Sequence, residues 1–483
     1  MKRLPKRKKQ IKNKKAPIRE LFNDIVDTGD KMSDTIAAIA TGAQISAIGI
    51  IRLSGDKTFK IIDTLFHPCS GKPMSQNADR KLVFGELTDR GGELLDVCLC
   101  TVSRAPNSYT GEDTAELQCH GSPVVMRTAL DEIFALGGRQ AGPGEFTRRA
   151  FINGKMELSS AEAVVDIIDA ESIEAVKNAA GQLGGAIGKK TERIYSLLTD
   201  ISSHFHAVLD YPDEDIEDFA IQNYASQLHG AEAQLETLLA TFSRGKLMNT
   251  GIPAAIVGRP NAGKSSLLNA LLGYDRAIVT KIPGTTRDTI EEKLRLGRVL
   301  LKLIDTAGIR ETADEVERLG VERSRQAMEN AQLVIAVVDG SEAVTEEDRE
   351  IIRDAEKAPN GIVVLSKSDL AGPDIIPETA LKVVSVSSVT GEGLDALESA
   401  ISDMFPLPSV PAGEILTNVR HAQAVSSALE YLRAAIDAMK SGMTPDIVLT
   451  ECEGAMQALG ELTGRTVRED VTNRIFSRFC VGK

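Results

Sequence analysis

The sequence lacks the features of a membrane-spanning or exported protein. No apolar run approaches the ~20 residues that a membrane span needs. No apolar stretch follows the first charges, as a secretory signal would require, and the Arg- and Ser-rich composition of a transit peptide is missing. With 42% hydrophobic and 26% charged residues, the chain is not broadly disordered either. We therefore expect a cytoplasmic protein.

Cysteine is scarce and is not spaced for metal binding or for a disulfide framework. The chain has six cysteines and no CxxC pair, so we expect reduced thiols, and zinc is not indicated. Cys98 and Cys100 alternate with Val97 and Leu99 as residues do along a strand, which favours buried core thiols over ligands. The six positions are Cys69, Cys98, Cys100, Cys119, Cys452 and Cys480.

Acidic residues are missing from the start of the chain. None precedes Glu20, and nine of the first 15 residues are Lys or Arg, which is typical of a solvated, disordered basic extension at residues 1–31. Met32 is an alternative start. Removing those nine charges from the net charge of −13 leaves about −22, which argues against a broadly basic RNA-binding face. Any nucleic acid must then be held by local patches or by a partner.

A chain of 483 residues is too long for one hydrophobic core, and its patterns change along its length. Short β-rich runs between turns predict an N-terminal α+β domain at residues 32–152. Helical spacing at 153–248 returns at 411–483, and apolar strands alternate with helices between them. The fold class is therefore multidomain α+β and α/β, with a nucleotide-binding domain at 249–410 inserted into a discontinuous helical bundle. Strands are predicted at residues 48–53, 95–102, 254–257, 299–304, 333–338 and 362–365.

A P-loop motif opens the inserted domain. Residues 258–265 read Gly-Arg-Pro-Asn-Ala-Gly-Lys-Ser, after an apolar strand and before a helix expected to begin near Ser266. Its glycines let backbone N–H groups surround a β-phosphate, Lys264 neutralises the β- and γ-oxygens, and the Ser265 hydroxyl ligates Mg²⁺. This segment predicts a P-loop, Ras-like G domain.

Two later segments couple phosphate binding to hydrolysis. Asp305 begins the sequence Asp-Thr-Ala-Gly at the end of an apolar strand, where an Asp can hold magnesium through water and the Gly308 amide can meet the γ-phosphate. Residues 284–288 read Gly-Thr-Thr-Arg-Asp, which makes Thr286 the natural second hydroxyl ligand of Mg²⁺. The order of the three segments predicts a nucleotide hydrolase that works as a switch.

The base is read by residues that follow a further strand. Ser366-Lys-Ser-Asp369 supplies a carboxylate that accepts both guanine N1–H and N2–H, a pattern that adenine cannot present. GTPases usually have Asn where this chain has Ser366, so we expect weaker nucleotide binding with guanine still selected. The predicted GTP contacts are Asn261, Ala262, Gly263, Lys264, Ser265, Ser266, Thr280, Lys281, Ile282, Pro283, Gly284, Thr285, Thr286, Asp305, Thr306, Ala307, Gly308, Ser366, Lys367, Ser368, Asp369, Ser387, Ser388 and Val389.

From Asp34 onward the chain resembles one family, the tRNA modification GTPases called MnmE or TrmE. The terminal residues 476–483, Phe-Ser-Arg-Phe-Cys-Val-Gly-Lys, are similar to the family's closing CxGK signature. Residues 108–116, with His120-Gly121, and residues 143–151, with 153–155, resemble its folate-binding N-terminal domain. Ribosome-assembly GTPases share the nucleotide motifs and lack the CxGK ending.

The resemblance implies several site residues. It assigns a formyl-tetrahydrofolate or a 5,10-methylene derivative to Arg52, Glu116, Lys155 and Lys483, and it assigns orientation of the attacking water to Glu317. K⁺ would be bound by Asn261, Thr280, Ile282 and Thr285. Cys480 becomes a candidate catalytic thiolate, activated by nearby cations such as Lys483, with Asp305 and Glu317 as the other catalytic residues. From the residues alone, the favoured interpretation of Cys480 is a buried structural thiol beside Phe476 and Phe479.

The resemblance also implies a reaction and its partners. A homodimer would form a heterotetramer with an FAD-dependent subunit of the MnmG (GidA) type and modify C5 of the wobble uridine in certain tRNAs. The carbon would come from methylene-tetrahydrofolate, and the nitrogen from glycine or ammonium. The alternative is a GTP-dependent assembly switch for the ribosome or another RNA, which needs neither a terminal thiol nor a one-carbon carrier.

Overall fold

A computed structural model describes residues 34–42, 44–210, 219–273, 292–304, 326–370, 376–406 and 410–483. The basic extension predicted at residues 1–31 lies outside this set. The described residues form two compact units. One contains the N-terminal residues through Glu157 together with Arg468–Lys483, and the other contains Leu158–Val467. The sequence grouped residues 468–483 with the helical domain, whereas their backbone hydrogen bonds join them to the N-terminal residues.

The first unit is an α+β fold built on one sheet. In the described residues its strands lie in the order β3-β4-β5-β6-β2-β1-β7, and all neighbours pair antiparallel except β1 and β7. The elements are β1 Thr35–Ile39, β2 Ser46–Ser54, α1 Thr58–Leu65, β3 Phe66–Pro68, β4 Val83–Thr88, β5 Leu94–Ser103, β6 Thr114–Gly121, α2 Pro123–Ala135, β7 Gly138–Gln140 and α3 Glu145–Ile152.

One face of this sheet carries the core of the first unit. Every second residue of β5 from Cys98 to Val102 is buried, because side chains alternate between the two faces of a strand. Cys98 and Cys100 pack with Leu117 of β6 and Ile61 of α1, which confirms the prediction of buried core thiols. The strands predicted at 48–53 and 95–102 are also confirmed.

The end of the chain belongs to the same unit. Helix α14, Glu469–Phe476, is followed by a tail in which Val481 forms an antiparallel bridge with Pro143. The Gly144 amide donates to the carbonyl of Cys480 at 3.3 Å, and the Phe146 amide donates to the carbonyl of Lys483 at 3.2 Å. The tail is therefore held through its backbone, and the buried side chain of Phe479 lies close to Gly144.

The second unit contains the predicted bundle. Leu198 and Leu235 from the first half share one core with Val425 and Leu432 from the second half, so the prediction that the two halves pack together is confirmed. The buried residues of these helices form one core because they recur on one helical face. The helices are α4 Leu158–Asp169, α5 Ile173–Leu183, α6 Ala186–Asp210, α7 Phe219–Ala240, α8 Phe242–Thr250, α12 Val419–Lys440 and α13 Pro445–Thr463.

An α/β fold lies between the two halves. In the described residues its strands lie in the order β13-β12-β11-β8-β10-β9, with β9 alone antiparallel. The predicted strands are confirmed, although the one expected at 299–304 ends one residue earlier. The elements are β8 Ile252–Val257, α9 Lys264–Gly273, β9 Glu292–Leu296, β10 Val299–Leu303, β11 Leu333–Asp339, α10 Glu346–Ala355, β12 Gly361–Ser366, β13 Lys382–Ser385 and α11 Leu394–Met404.

A buried ion cluster joins the two halves of the bundle. Glu162 on α4 accepts from Arg420 Nη2 at 2.5 Å and from His421 Nε2 at 2.6 Å, both on α12. Although burial alone would raise the pKa of Glu162, His421 and Arg420 lower it to about 2. The lowered pKa means that the ionised carboxylate stabilises the fold.

We expect Glu162→Gln to lower the free energy of unfolding by about 3 kcal/mol at pH 7, because it removes the charge from a buried ion cluster. Since the folded pKa is the lower one, the wild-type advantage persists above the ordinary pKa of 4.5 and is lost as pH falls from there toward 2. Urea unfolding, followed by circular dichroism above pH 4.5 and near pH 2, measures the difference in the free energy of unfolding between the wild type and the variant.

Glu192→Gln is the control, because Glu192 pairs with Arg465 at 2.5 Å in the same bundle but is 43% exposed. We expect it to change stability by less than about 1 kcal/mol. Equal urea midpoints for the two variants at pH 7 would contradict the assigned role of Glu162.

Candidate functional site

The P-loop connects β8 to α9 in the second unit. The helix begins at Lys264, two residues before the predicted start. A side chain at Gly258 would place its Cβ 2.4 Å from the carbonyl oxygen of Val337, so only glycine fits there. Asn261 and Gly263 both have left-handed backbones, with φ of 62° and 95°. These features allow the loop to turn tightly before the helix.

The predicted phosphate-binding side chains lie at the start of α9. Lys264 Nζ donates to the carbonyls of Gly258 and Arg259 at 2.6 and 2.8 Å, so the ammonium group lies against the backbone of the P-loop. Burial lowers the pKa of Lys264 from its ordinary value. Ser265 and Ser266 are exposed in the first turn, where a helix N-terminus favours anions. This arrangement can receive a phosphate group.

Ser366 connects the predicted base-reading segment to the P-loop. It ends β12, is 2% exposed, and its hydroxyl lies 2.6 Å from the Ala262 carbonyl oxygen and 3.1 Å from that of Val338. The hydroxyl can donate to one of the two at a time, and the shorter distance is to the P-loop. Gly263 leaves room for this hydroxyl, because a Cβ built on Gly263 would lie 3.1 Å from the Ser366 hydroxyl oxygen. The serine thus supplies a donor where an amide was expected.

The remaining base-reading residues form a network at the same edge of the sheet. Lys367 Nζ lies 2.6 Å from Asp339 Oδ2 at the end of β11. Although burial alone would raise the pKa of Asp339, hydrogen bonds from Lys367 and Ser341 lower it. The Ser387 hydroxyl donates to Asp369 Oδ1 at 2.7 Å, which orients the exposed carboxylate.

The loop after β13 completes this edge. Ser387 is fully buried, and its hydroxyl oxygen lies 3.3 and 3.1 Å from the backbone nitrogens of Val389 and Thr390. Ser388 is partly buried and Val389 is 85% exposed. The structure thus brings the P-loop and the residues of 366–369 and 387–389 to the carboxyl ends of neighbouring strands, where ligands bind in open α/β sheets. The predicted sites at Thr280–Thr286, Asp305–Gly308 and Glu317 lie outside the described residues.

In the first unit, Arg52 joins three of the segments that the resemblance identified. It lies opposite Glu116 in the β2–β6 register, and Nε is 2.8 Å from Glu116 Oε1. Arg52 Nη1 donates to the Gly482 carbonyl at 3.4 Å. The guanidinium carbon lies 5.8 Å from the ring centre of Tyr109 and 5.7 Å from that of Phe146.

Three other residues that the resemblance assigned to a site also lie in the first unit. Lys483 is partly buried, with its carbonyl bound by the Phe146 amide. Cys480 is exposed, which argues against the buried structural thiol, whereas Phe476 and Phe479 are buried. Lys155 Nζ donates instead to the Pro106 carbonyl at 2.7 Å.

Sequence reasoning did not single out Arg149, which the structure places inside the first unit. It is 1% exposed and pairs with Asp34 at 2.7 Å, Glu145 at 2.9 Å and Glu112 at 3.1 Å. Glu112 lies in the stretch 108–116 and Arg149 in 143–151, so this ion cluster holds the two stretches together. The opposite charges in the two stretches are the sequence feature that could have indicated this ion cluster.

We expect Ser366→Ala to weaken GDP binding about tenfold, because a buried hydrogen bond to the P-loop is lost, at a cost of about 1 to 1.5 kcal/mol. Discrimination against ADP should not change, since Asp369 is the residue predicted to read the guanine edge. Fluorescent-nucleotide titration measures both values. Ser399→Ala, at an exposed serine of α11, is the control and should bind GDP normally. Normal GDP affinity in Ser366→Ala would contradict the assigned connection.

No helix in the described part of the chain is both long and apolar enough to cross a membrane. A family model described as the MnmE helical domain matches residues 158–480, and one described as the GTP-binding protein TrmE N-terminus matches 35–155. Among solved structures, the G domain of the T. maritima FeoB iron transporter matches 32% of this chain and 99% of its own at 27% identity. Its TM-score of 0.25 is too low to compare the folds.

Curated relatives match almost the whole chain. A protein from Roseiflexus castenholzii is 42% identical, covering 93% of this chain and 99% of its own. Relatives from Symbiobacterium thermophilum and Clostridioides difficile are 41% and 39% identical, covering 93% and 94% of this chain and 99% and 100% of their own. All three are named tRNA modification GTPase MnmE. The chain belongs to this family, the tRNA modification GTPases MnmE.

Proposed function

We propose that this chain hydrolyses GTP and, with an FAD-dependent partner, drives addition of a carboxymethylaminomethyl or aminomethyl group to C5 of the wobble uridine in certain tRNAs. The observation that carries the proposal is the terminal CxGK segment, which lies beside the Arg52–Glu116 pair in a chain that also has a P-loop. An assembly switch that only times a process has no use for this second site.

In the proposed nucleotide cycle, Ser265 and Thr286 ligate Mg²⁺, and Asp305 holds it through water. K⁺ supplies the positive charge that an arginine finger provides elsewhere, bound by the Asn261 side chain with Thr280, Ile282 and Thr285. Glu317 orients the attacking water through a second water. Asn261 already lies in the P-loop with an exposed side chain, which supports its proposed role.

The proposed folate site is formed by the first unit. A pterin has an amide-like edge that suits the Glu116 carboxylate, and its glutamate tail has carboxylates that suit Lys155 and Lys483. Tyr109 is 42% exposed and lies against Arg52, so its ring offers a stacking surface. The chemistry of this donor set fits a tetrahydrofolate derivative, which supplies the transferred carbon when bound.

Cys480 is the proposed thiol of the modification step. Its exposure supports access by a substrate. The reactive sulfur would then lie on a tail whose backbone is held by Gly144 and Phe146. A positioned thiolate is the nucleophile that such chemistry needs.

The proposed assembly is a homodimer that binds tRNA and the FAD-dependent subunit as a heterotetramer. Large apolar side chains of the first unit are exposed, including Ile45 at 86%, Val124 at 73% and Ile48 at 58%. Exposed apolar residues of this kind are what a protein interface buries. The strongly acidic composition favours tRNA binding through local patches or through the partner.

We expect both Cys480→Ser and deletion of residues 480–483 to abolish wobble-uridine modification while GTP hydrolysis persists. The reason is that the tail belongs to the first unit and the P-loop to the second. Deletion should also abolish binding of 5-formyltetrahydrofolate, which Cys480→Ser should retain. Nucleoside mass spectrometry of tRNA from complemented cells, and phosphate release by the purified protein, give the readouts.

The control is Cys69→Ser, at another exposed thiol of the first unit, which should leave modification intact. Unchanged wobble uridines in cells that lack this protein would remove the proposed function. Equal loss of both activities in the deletion variant would show that the tail is structural.

We also expect GTP turnover at least about tenfold faster in K⁺ than in Na⁺, since a cation on the transferring phosphate replaces the arginine finger. Asn261→Gly should erase the difference, because it removes the side-chain oxygen while tolerating the φ of 62° at this position. Turnover is measured at matched ionic strength, which separates ion identity from screening. Equal rates of the wild type in the two salts would contradict the potassium mechanism and leave the GTPase assignment intact.

A further inference from the structure

Two cysteines and an aspartate meet on the core face of the first unit. Leu99 pairs with Gln118 in the β5–β6 ladder, so Cys98 and Cys119 are the next facing pair. Asp96 lies two residues before Cys98, on the same side of β5. The two sulfur atoms and a carboxylate oxygen of Asp96 lie within 4.8 Å of one another. Three potential ligands therefore converge from two adjacent strands.

The surroundings of this cluster restrict what it can bind. Cys98 is 5% exposed, Cys119 is 1% exposed and the Asp96 side chain is 9% exposed. The two Asp96 oxygens accept from the His120 amide at 2.8 Å and from His120 Nδ1 at 2.7 Å. Asp96 is therefore the most exposed member of the cluster, and the two sulfur atoms lie in the core. The room is that of a single ion and not of an organic ligand.

We propose that Asp96, Cys98 and Cys119 bind a thiophilic divalent cation such as Zn²⁺, with water in the fourth position. Sulfur ligands select zinc over magnesium or calcium, and zinc takes four tetrahedral N, O or S ligands. Zinc–sulfur bonds of about 2.3 Å at the tetrahedral angle place two sulfurs about 3.8 Å apart. Small side-chain rotations therefore suffice to close the site.

Strand pairing explains why sequence spacing did not indicate zinc. A CxxC pair brings two sulfurs together within one turn, whereas here the second sulfur comes from the facing position of the next strand, 21 residues later in the chain. Burial in the core accounts for two thiols. The Asp96 carboxylate, which already accepts hydrogen bonds from the amides of His120 and Val97, adds an oxygen ligand beside both of them.

The test is a cobalt titration of the reduced full-length protein after chelator treatment. We expect about one Co²⁺ per chain, with a thiolate-to-cobalt charge-transfer band that zinc displaces. Cys98→Ser and Cys119→Ser should lose the band, and Asp96→Asn should weaken binding at least about tenfold. Cys100→Ser is the matched control, since Cys100 lies on the same strand and the same core face, is fully buried, and is outside the cluster. It should keep the band.

A second measurement covers the possibility that a serine in the core impairs folding. Zn²⁺ should raise the thermal midpoint of the wild type and of Cys100→Ser, but not that of Cys98→Ala, because a ligand that binds only the folded state stabilises it. The absence of a thiolate–cobalt band in the wild type would overturn the proposal. So would a band that survives in Cys98→Ser and Cys119→Ser, since the exposed Cys69 or Cys480 would then be the ligand. A Cys98–Cys119 disulfide formed with oxidised glutathione, without metal binding by the reduced protein, would also overturn it.

Discussion

The structure of the second unit depends on burying the apolar faces of α6 and α7, which the helices of the first half do not cover on their own. Their partners are α12 and α13, so the chain must return after the nucleotide domain. The return segment at residues 413–416 is held by buried polar side chains. Asn178 and Gln182 bind backbone groups of Ile415 at 2.7 to 3.3 Å, and the Thr241 hydroxyl accepts from the Leu416 amide at 2.9 Å. These bonds satisfy the buried N–H and C=O groups of the return segment. They also attach the chain to the helical bundle where it returns from the inserted domain.

The predicted nucleotide-binding edge of the sheet is likewise stabilised by a polar side chain that links two distant segments. The predicted base-reading segment contacts the P-loop, although Ser366 and Ala262 are about a hundred residues apart in the chain. Ser366 makes this connection with one hydroxyl, and the nearby Gly263 leaves room for it. The serine hydroxyl therefore forms a contact between the two loops. Its side chain is shorter than that of the asparagine that GTPases usually have here.

The C-terminal signature is explained by backbone geometry as much as by side chains. Gly482 has φ of 98°, and a Cβ there would lie 2.6 Å from the Ile39 carbonyl oxygen, so only glycine is accommodated. Its carbonyl meets Arg52, and the neighbouring carbonyls of Cys480 and Lys483 meet the amides of Gly144 and Phe146. Gly144 is itself left-handed and close to Phe479. Glycine is therefore needed at both 144 and 482 for the C-terminal tail to pack against the segment that begins α3.

The sequence by itself determined the elements that depend only on residues close together in the chain. Apolar spacing identified the bundle helices and the buried strands, and the P-loop was evident because its glycines and its Lys-Ser pair act within eight residues. Ser366 was visible as a departure from the usual residue, but its contact with Ala262 was not. Tertiary structure alone decided that Arg149 is buried among three carboxylates, that residues 468–483 join the first unit, and that Cys98 faces Cys119. Each of these depends on pairing between segments distant in the chain, because strand register and hydrophobic burial select partners that periodicity within one segment does not specify.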